Sequence, residues 1–168
     1  KGLGYKERNE RAGVGSEIFK SLNSEYAAIQ DKVNQAFQNS DNSNSIFKNL
    51  GIQKINPLYI LFPDGATDNN FWQQHGNNQE QYFDLLEKFE QCNKDLKSGK
   101  TLDQIRSEDS FVANAYDLFN GSEKMQLTKS GDYYKVEGNG RHRVAAAHLY
   151  YLKTGKIIDL SAEVTDKK

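Results

Sequence analysis

The sequence has no long hydrophobic run and almost no cysteine. Its longest apolar cluster, Leu58 to Phe62, is far shorter than the roughly 20 residues that a membrane-spanning helix needs, so the sequence predicts no membrane span. The single cysteine, Cys92, can form no internal disulfide and cannot build a cysteine zinc site. Because Cys92 falls on the apolar face of a predicted helix, we expect a buried small side chain rather than a nucleophile.

The chain also lacks a charge excess of either sign. Its 22 Lys and Arg residues nearly balance 23 Asp and Glu residues, so the net charge is -1. No overall field therefore attracts nucleic acid, and any polyanion site has to be a local patch. Hydrophobic residues make up 36% of the 168 residues, which is enough for one domain with a core. The chain starts at Lys1 without a leader segment, so we expect a piece of a longer polypeptide or a processed product.

Residues 1–45 are expected to form a flexible segment, an amphipathic helix and a linker in front of the domain. Residues 1–15 carry four glycines and alternating charges, a composition typical of a tether. From Ser16 onward, apolar residues recur every three or four positions and predict one face of a helix: Ile18, Leu22, Tyr26, Ile29, Val33 and Phe37. Residues 38–45 contain no apolar residue, which predicts a linker.

Residues 46–168 are expected to form the domain. Ile52 to Phe62 predicts one buried strand that ends at the Pro63-Asp64-Gly65 turn. Asn77 or Asn78 then caps a helix that ends at Ser98-Gly99, and a capping box at residues 101–104 starts a short one. A third helix is expected to turn five side chains inward: Phe111, Val112, Ala115, Leu118 and Phe119.

The last 45 residues predict a hairpin, a loop, a helix and a strand in succession. Apolar and polar residues alternate on both sides of a Ser130-Gly131-Asp132 turn, which is the pattern of a β-hairpin. Residues 143–152 then form an alanine-rich helix that Gly155 closes, and residues 157–164 form a final strand. Together these elements predict an α/β (α+β) fold, a small mixed sheet with flanking helices, preceded by an N-terminal helical arm.

The loop between the hairpin and the following helix carries the candidate chemistry. A strand that runs through a glycine-rich turn into a helix points several backbone N–H groups at one place, and the helix dipole adds about half a positive charge there. Gly138 and Gly140 flank Asn139 and let the backbone approach a ligand without interference from a Cβ atom. This part of the loop predicts a phosphate-binding site.

The side chains around that turn fit the same chemistry. Arg141 and Arg143 offer forked donors that match phosphate oxygens. His142 can donate a hydrogen bond or transfer a proton near neutral pH, and Glu137 can hold a metal ion or accept a proton from a hydroxyl. The alternative is an ordinary hairpin exit with two solvated arginines.

The run from Tyr134 to Arg143, followed by three alanines and a closing strand, resembles the ParB/sulfiredoxin superfamily. In that superfamily a Gly-x-x-Arg loop at the start of a helix binds nucleotide phosphates, so the resemblance implies a nucleotide such as ATP or CTP as ligand or substrate. Sulfiredoxins have a catalytic cysteine directly before His-Arg. This chain has Arg141 at that place, so sulfiredoxin activity is not expected.

A second motif, Pro63 to Asp68 with Phe71-Trp72 and His75-Gly76, adds to the resemblance. With the Gly-Arg-His-Arg block it is similar to the ParB-like domains at the C-termini of large secreted bacterial toxins. Asp64, Asp68 and His75 are candidate metal ligands or bases. Equally, Pro-Asp-Gly is an ordinary turn and Asp68 an ordinary helix cap. The Phe71-Trp72 pair is more typical of core packing than of base stacking.

The resemblance implies an antibacterial toxin domain, secreted or delivered within a larger protein, that cleaves a phosphate bond of a nucleotide or nucleic acid. In that interpretation Arg141, His142 and Arg143 stabilise or protonate the reacting phosphate. Glu137 or Asp64, with Asp68 as a further ligand, positions a Mg²⁺ ion or water. The implied partners are the nucleotide or nucleic acid and a cognate immunity protein. The alternatives are a non-catalytic nucleotide- or DNA-binding module of the same fold and a kinase for a small metabolite.

Overall fold

The computed structural model describes residues 23–38, 47–63, 65–66, 71–72, 79–120 and 124–167. In these residues the chain forms five α-helices and a mixed four-stranded sheet, so the predicted mixture of helices and sheet is confirmed. The elements follow each other in this order: α1 (Ser24–Gln38), β1 (Phe47–Ile55), a 3-10 turn (Pro57–Tyr59), α2 (Gln79–Lys97), α3 (Leu102–Glu108), α4 (Ser110–Asn120), β2 (Met125–Ser130), β3 (Tyr133–Val136), α5 (Arg141–Thr154) and β4 (Leu160–Lys167).

The sheet has the strand order β1-β4-β2-β3. β2 and β3 form the predicted antiparallel hairpin, in which Leu127 pairs with Val136. β4 lies parallel to β2 and antiparallel to β1. A parallel pair needs a crossover connection, and α5 provides it between the hairpin and β4. The last strand begins at Leu160, three residues later than expected, and Ile157 is exposed.

The main core lies between one face of the sheet and α5. Met125, Leu127, Leu160, Ala162 and Val164 alternate with more exposed residues along the two central strands and are all buried. In α5 every residue from 143 to 150 is buried, so this helix is enclosed on all sides. The loop that precedes α5 is therefore fixed to the most buried helix of the fold.

Helix α1 packs on this core through a polar seam as well as through apolar contacts. Gln30 is buried, and its amide bonds the backbone of residues 58–62 in three places. The Tyr26 hydroxyl lies 2.8 Å from Nδ1 of His148. Burial lowers the pKa of His148 to about 4, and nearby backbone groups of Pro57 and Ile60 only partly oppose that shift. Residues 16–22 of the predicted helix lie outside the described residues.

Helices α2, α3 and α4 form a helical layer with a small core of their own, made of Cys92, Ile105, Val112 and Ala113. Burial of Cys92 is confirmed. The predicted capping box is also confirmed: Gln104 N donates to Thr101 Oγ1 at 3.1 Å, and Thr101 N donates to Gln104 Oε1 at 2.8 Å. The caps predicted at Asn77 or Asn78 lie outside the described part of the chain.

The single strand predicted for residues 52–62 is wrong. The chain leaves β1 at Ile55, makes the 3-10 turn and pairs again only at Ile60, which bridges to Tyr134. Asn56 causes the break because its Oδ1 accepts from Leu58 N at 2.9 Å, and Pro57 cannot donate to a strand partner.

The inward orientation predicted for Phe111 and Leu118 is also wrong. Phe111 is 68% exposed and Leu118 is 40% exposed, while Val112, Ala115 and Phe119 are buried as predicted. Ala113 takes the remaining buried position, so the apolar face of α4 is rotated from the predicted one.

Among the described residues, no helix combines the length and the apolar character that a membrane span requires.

Candidate functional site

The loop from β3 to α5 stays attached to the sheet. Glu137 N donates to Gln126 O at 2.8 Å, and Gln126 N donates to Asn139 O at 3.4 Å. β2 therefore holds the loop on both sides of Gly138. A backbone fixed in this way can present its N–H groups to a ligand with little ordering cost.

The two glycines of the loop are required by its geometry. Gly138 has φ of +86° and Gly140 has φ of +120°, values that other residues rarely adopt. At Gly140 an added Cβ atom would lie 2.5 Å from Met125 Cγ. The start of α5 thus sits directly on the core residue that begins β2.

α5 begins with Arg141 and has Gly140 as its N-cap. A glycine cap has no side chain to accept hydrogen bonds from the first turn, where the backbone N–H groups lack partners within the helix. The helix is 14 residues long, so its dipole favours an anion at this end. These are the backbone features on which the prediction of a phosphate-binding turn depends.

Arg141 and His142 lie beside the aromatic pair predicted from the second motif. The guanidinium of Arg141, an exposed residue, is 5.4 Å from the centre of the Phe71 ring. The half-buried His142 ring stacks on Phe71 with centroids 4.0 Å apart, and it lies 5.7 Å from the Tyr82 ring. Trp72 meets the His142 ring edge-on at 5.9 Å. The histidine is therefore enclosed by aromatic rings.

A hydrogen bond fixes the protonation pattern of His142. Its Nε2 bonds the carbonyl oxygen of Phe71. A carbonyl oxygen can only accept, so Nε2 carries the hydrogen, and the lone pair of the neutral ring is on Nδ1. Nδ1 is therefore the atom through which His142 can accept a proton.

Arg143 has a different environment from Arg141. It is only 7% exposed, and its Nη1 donates to the carbonyl oxygen of Leu118 at 3.1 Å. Leu118 lies in the last turn of α4, where carbonyl groups have no partner within the helix. Arg143 thus ties the start of α5 to the end of α4, a role that the sequence pattern did not indicate.

The predicted acidic ligands are only partly covered by the structure. Glu137 and Asn139 are exposed next to the loop glycines. Asp64, Asp68 and His75 lie outside the described residues. Within the portion that is described, no group of three or more His, Cys, Asp or Glu side chains is placed to hold a metal ion.

Tyr82 is a residue of this site that sequence reasoning missed. It is one of the buried residues of α2. Its ring also covers His142 and contacts Trp72 at 5.6 Å. Trp72 is 6% exposed and donates to Ala66 O at 2.7 Å, which confirms the preference for core packing over base stacking. Nothing in the spacing of these residues could have placed them together.

Comparison of the chain with models of protein families, with curated proteins and with solved structures finds no match.

Proposed function

We propose that the loop of residues 138–143 binds a phosphate group of a nucleotide or nucleic acid, and that the domain cleaves a phosphate bond there. One observation carries this proposal. Two glycines with positive φ lead from a paired strand into the start of a 14-residue, largely buried helix whose N-cap is a glycine, next to an exposed arginine. This arrangement combines oriented amides, a favourable dipole and a forked cation.

In this proposal each residue of the loop has a separate role. Arg141 neutralises charge that develops on the phosphate oxygens, and Nδ1 of His142 accepts or returns a proton. Glu137, exposed beside the glycines, would position a water molecule or contribute one ligand to a bound Mg²⁺ ion, which would offset charge on the phosphate. Arg143 acts by holding α5 on α4 through Leu118, so it positions the loop rather than the phosphate.

We further propose that the domain acts as an antibacterial toxin, delivered as part of a larger secreted protein. This step rests on the resemblance of the Gly-Arg-His-Arg block and the Pro63 to Asp68 motif to ParB-like toxin domains. An immunity protein would cover the loop or the exposed side of α1.

Turnover is tested with purified protein incubated with ATP, CTP, single-stranded RNA and single-stranded DNA, with Mg²⁺ and with EDTA. We expect hydrolysis of at least one substrate. His142→Gln keeps a donor for the Phe71 carbonyl but cannot transfer a proton, so it should reduce turnover at least a hundredfold. Arg141→Ala should weaken both binding and turnover. Arg106→Ala is the charge-matched control, because Arg106 lies in a surface ion pair with Asp117.

One observation favours a second function, a nucleotide- or DNA-binding module without catalysis. His142 and Arg143 are both engaged with backbone carbonyls, so two of the three basic side chains of the loop also hold the structure. The same assay separates the two functions. Binding that Arg141→Ala weakens, without turnover of any substrate, would support the module and refute the enzyme.

The toxin proposal is tested by inducible expression of the domain in bacteria. Growth arrest by the wild type and normal growth with His142→Gln would support it, provided that both proteins accumulate to the same level. Normal growth with the wild type at that level would refute it.

A further inference from the structure

A cleft lies away from the loop, between the end of β1, the 3-10 turn and the β2–β3 hairpin. It has a volume of about 640 Å³ and is lined by three tyrosines, Tyr59, Tyr133 and Tyr134. We call it the tyrosine cleft. Its size falls within the range of small-ligand sites, about 300–1,000 Å³. Nothing in the site described above uses it.

The rings of the tyrosine cleft are suited to stacking. Tyr59 is 41% exposed and meets the Tyr133 ring edge to face, with centroids 6.2 Å apart. Tyr134 is fixed by the sheet, because its carbonyl oxygen accepts from Leu61 N at 2.8 Å. The exposed ring of Tyr59 and the half-buried ring of Tyr133 beside it can stack on the flat faces of nucleobases with little dependence on sequence.

The charged side chains of the cleft balance each other in sign. Lys54 and Lys129 line it together with Asp132 and Asp159. None of these four side chains forms an ion pair or hydrogen bond with another side chain in the described ranges. Lysines can pair with phosphates, and aspartates can accept from the amino groups of bases. Since the formal charges cancel, affinity at this cleft depends on the tyrosine rings more than on attraction of phosphate.

The tyrosine cleft and the candidate phosphate site lie at opposite ends of one strand. Tyr133 begins β3, and Glu137 follows its last residue. Four residues of a strand span about 13 Å. That is about four times the rise of a stacked nucleotide, about 3.4 Å. A stacked single strand of about four nucleotides therefore covers this distance.

We propose that the tyrosine cleft binds single-stranded nucleic acid that continues from the phosphate site, so that a strand of about four or more nucleotides contacts both sites. This inference rests on the function proposed for the loop. It adds a binding site of different chemistry, in which aromatic stacking rather than arginine holds the strand.

Fluorescence anisotropy without Mg²⁺ tests the cleft by binding alone, with labelled oligothymidylates and oligouridylates of two and ten nucleotides. The ten-nucleotide probes should bind at least tenfold more tightly than the two-nucleotide probes. Tyr133→Ala and Tyr59→Ala should each weaken the ten-nucleotide complex about tenfold and leave the short probes and ATP unaffected. Tyr133→Phe keeps the ring and should bind like the wild type. Phe111→Ala, which removes an exposed ring outside the cleft, is the control.

The outcomes separate the cleft from the loop. If both tyrosine variants bind the long probes like the wild type while Arg141→Ala loses them, the cleft inference is overturned and the loop proposal stands. If Arg141→Ala has no effect and Tyr133→Ala abolishes binding, the cleft binds nucleic acid by itself, and both the loop proposal and the inference that the strand continues from the loop are overturned. Binding of a neutral oligosaccharide such as cellotetraose through Tyr133, with no oligonucleotide binding, would overturn the inference in favour of a sugar site.

Discussion

The buried amide of Gln30 holds α1 on the rest of the fold, and its removal has a calculable cost. Nε2 donates to Leu58 O at 2.8 Å and to Ile60 O at 3.2 Å, and Oε1 accepts from Phe62 N at 3.0 Å. Gln30 is 2% exposed, so water has little access to these groups. The partner groups belong to the backbone and cannot be replaced by apolar atoms.

Gln30→Leu keeps the volume of the side chain and removes all three hydrogen bonds. Leaving a buried polar group unsatisfied costs about 1–3 kcal/mol, and the added apolar burial offsets part of the total, so we expect a loss of about 3 kcal/mol. Loss of the contact also frees the 3-10 turn from α1. The variant should therefore unfold at clearly lower denaturant concentration, or lose α1 before the remainder.

Urea unfolding followed by circular dichroism measures this loss, and hydrogen exchange of α1 amides shows whether the helix opens first. Gln35→Leu is the matched control, because Gln35 lies on the same helix and is exposed. We expect it to change stability by less than about 0.5 kcal/mol. If Gln30→Leu were as stable as this control, with an unchanged slope against urea, the polar seam would contribute nothing and the reasoning would be refuted.

Three further predictions concern the core, the loop and a helix start. Burial lowers the pKa of His148 from 6.5 to about 4, so the stability that its neutral form contributes is complete above pH 6.5 and is lost as the pH falls towards 4. The free energy of unfolding should fall by about 3 kcal/mol over this range. In His148→Gln the urea midpoint should depend much less on pH between 6.5 and 4. Gly140→Ala should destabilise by more than about 2 kcal/mol, since it adds a clash with Met125 to an unfavourable φ. Gly131→Ala is the control, because Gly131 has φ of +62° but open space around it, and it should cost about 1 kcal/mol. If the two variants lost equal stability, the clash at Gly140 would be contradicted. Thr101→Ala should lower the free energy of unfolding by about 1 kcal/mol, because it removes the capping box, and thermal unfolding measures this loss. An unchanged melting temperature would mean that the capping box does not stabilise the helix.

Much of the local structure could be predicted because its causes are local. The capping box forms from residues three apart, and the β2–β3 hairpin follows from alternation around a glycine turn. The strand predicted for residues 52–62 failed for an equally local reason. The segment is mostly apolar, which favours a strand, but Asn56-Pro57 within it favours a turn. In the folded chain the turn forms at these two residues.

The candidate site was predicted in part. Its glycines and Arg141 could be found because a turn and a helix start are written in consecutive residues. The enclosure of His142 by Phe71 and Tyr82 could not be predicted, because these residues are far from His142 in the sequence. Phe71 precedes it by 71 positions and Tyr82 by 60 positions. The role of Arg143 was missed for the same reason, since its partner is a carbonyl group of α4.

By itself the sequence determined most helices, the hairpin, the burial of Cys92 and a glycine-bracketed loop before α5, because each depends on periodicity or on residues a few positions apart. Only the tertiary structure decided that Gln30 is buried and hydrogen-bonded to another segment of the chain, rather than exposed on the polar face of its amphipathic helix. It also decided that one arginine of the loop faces outward while the other is tied to α4. Which polar group finds a partner depends on where distant backbone lies in space, and no local pattern carries that information.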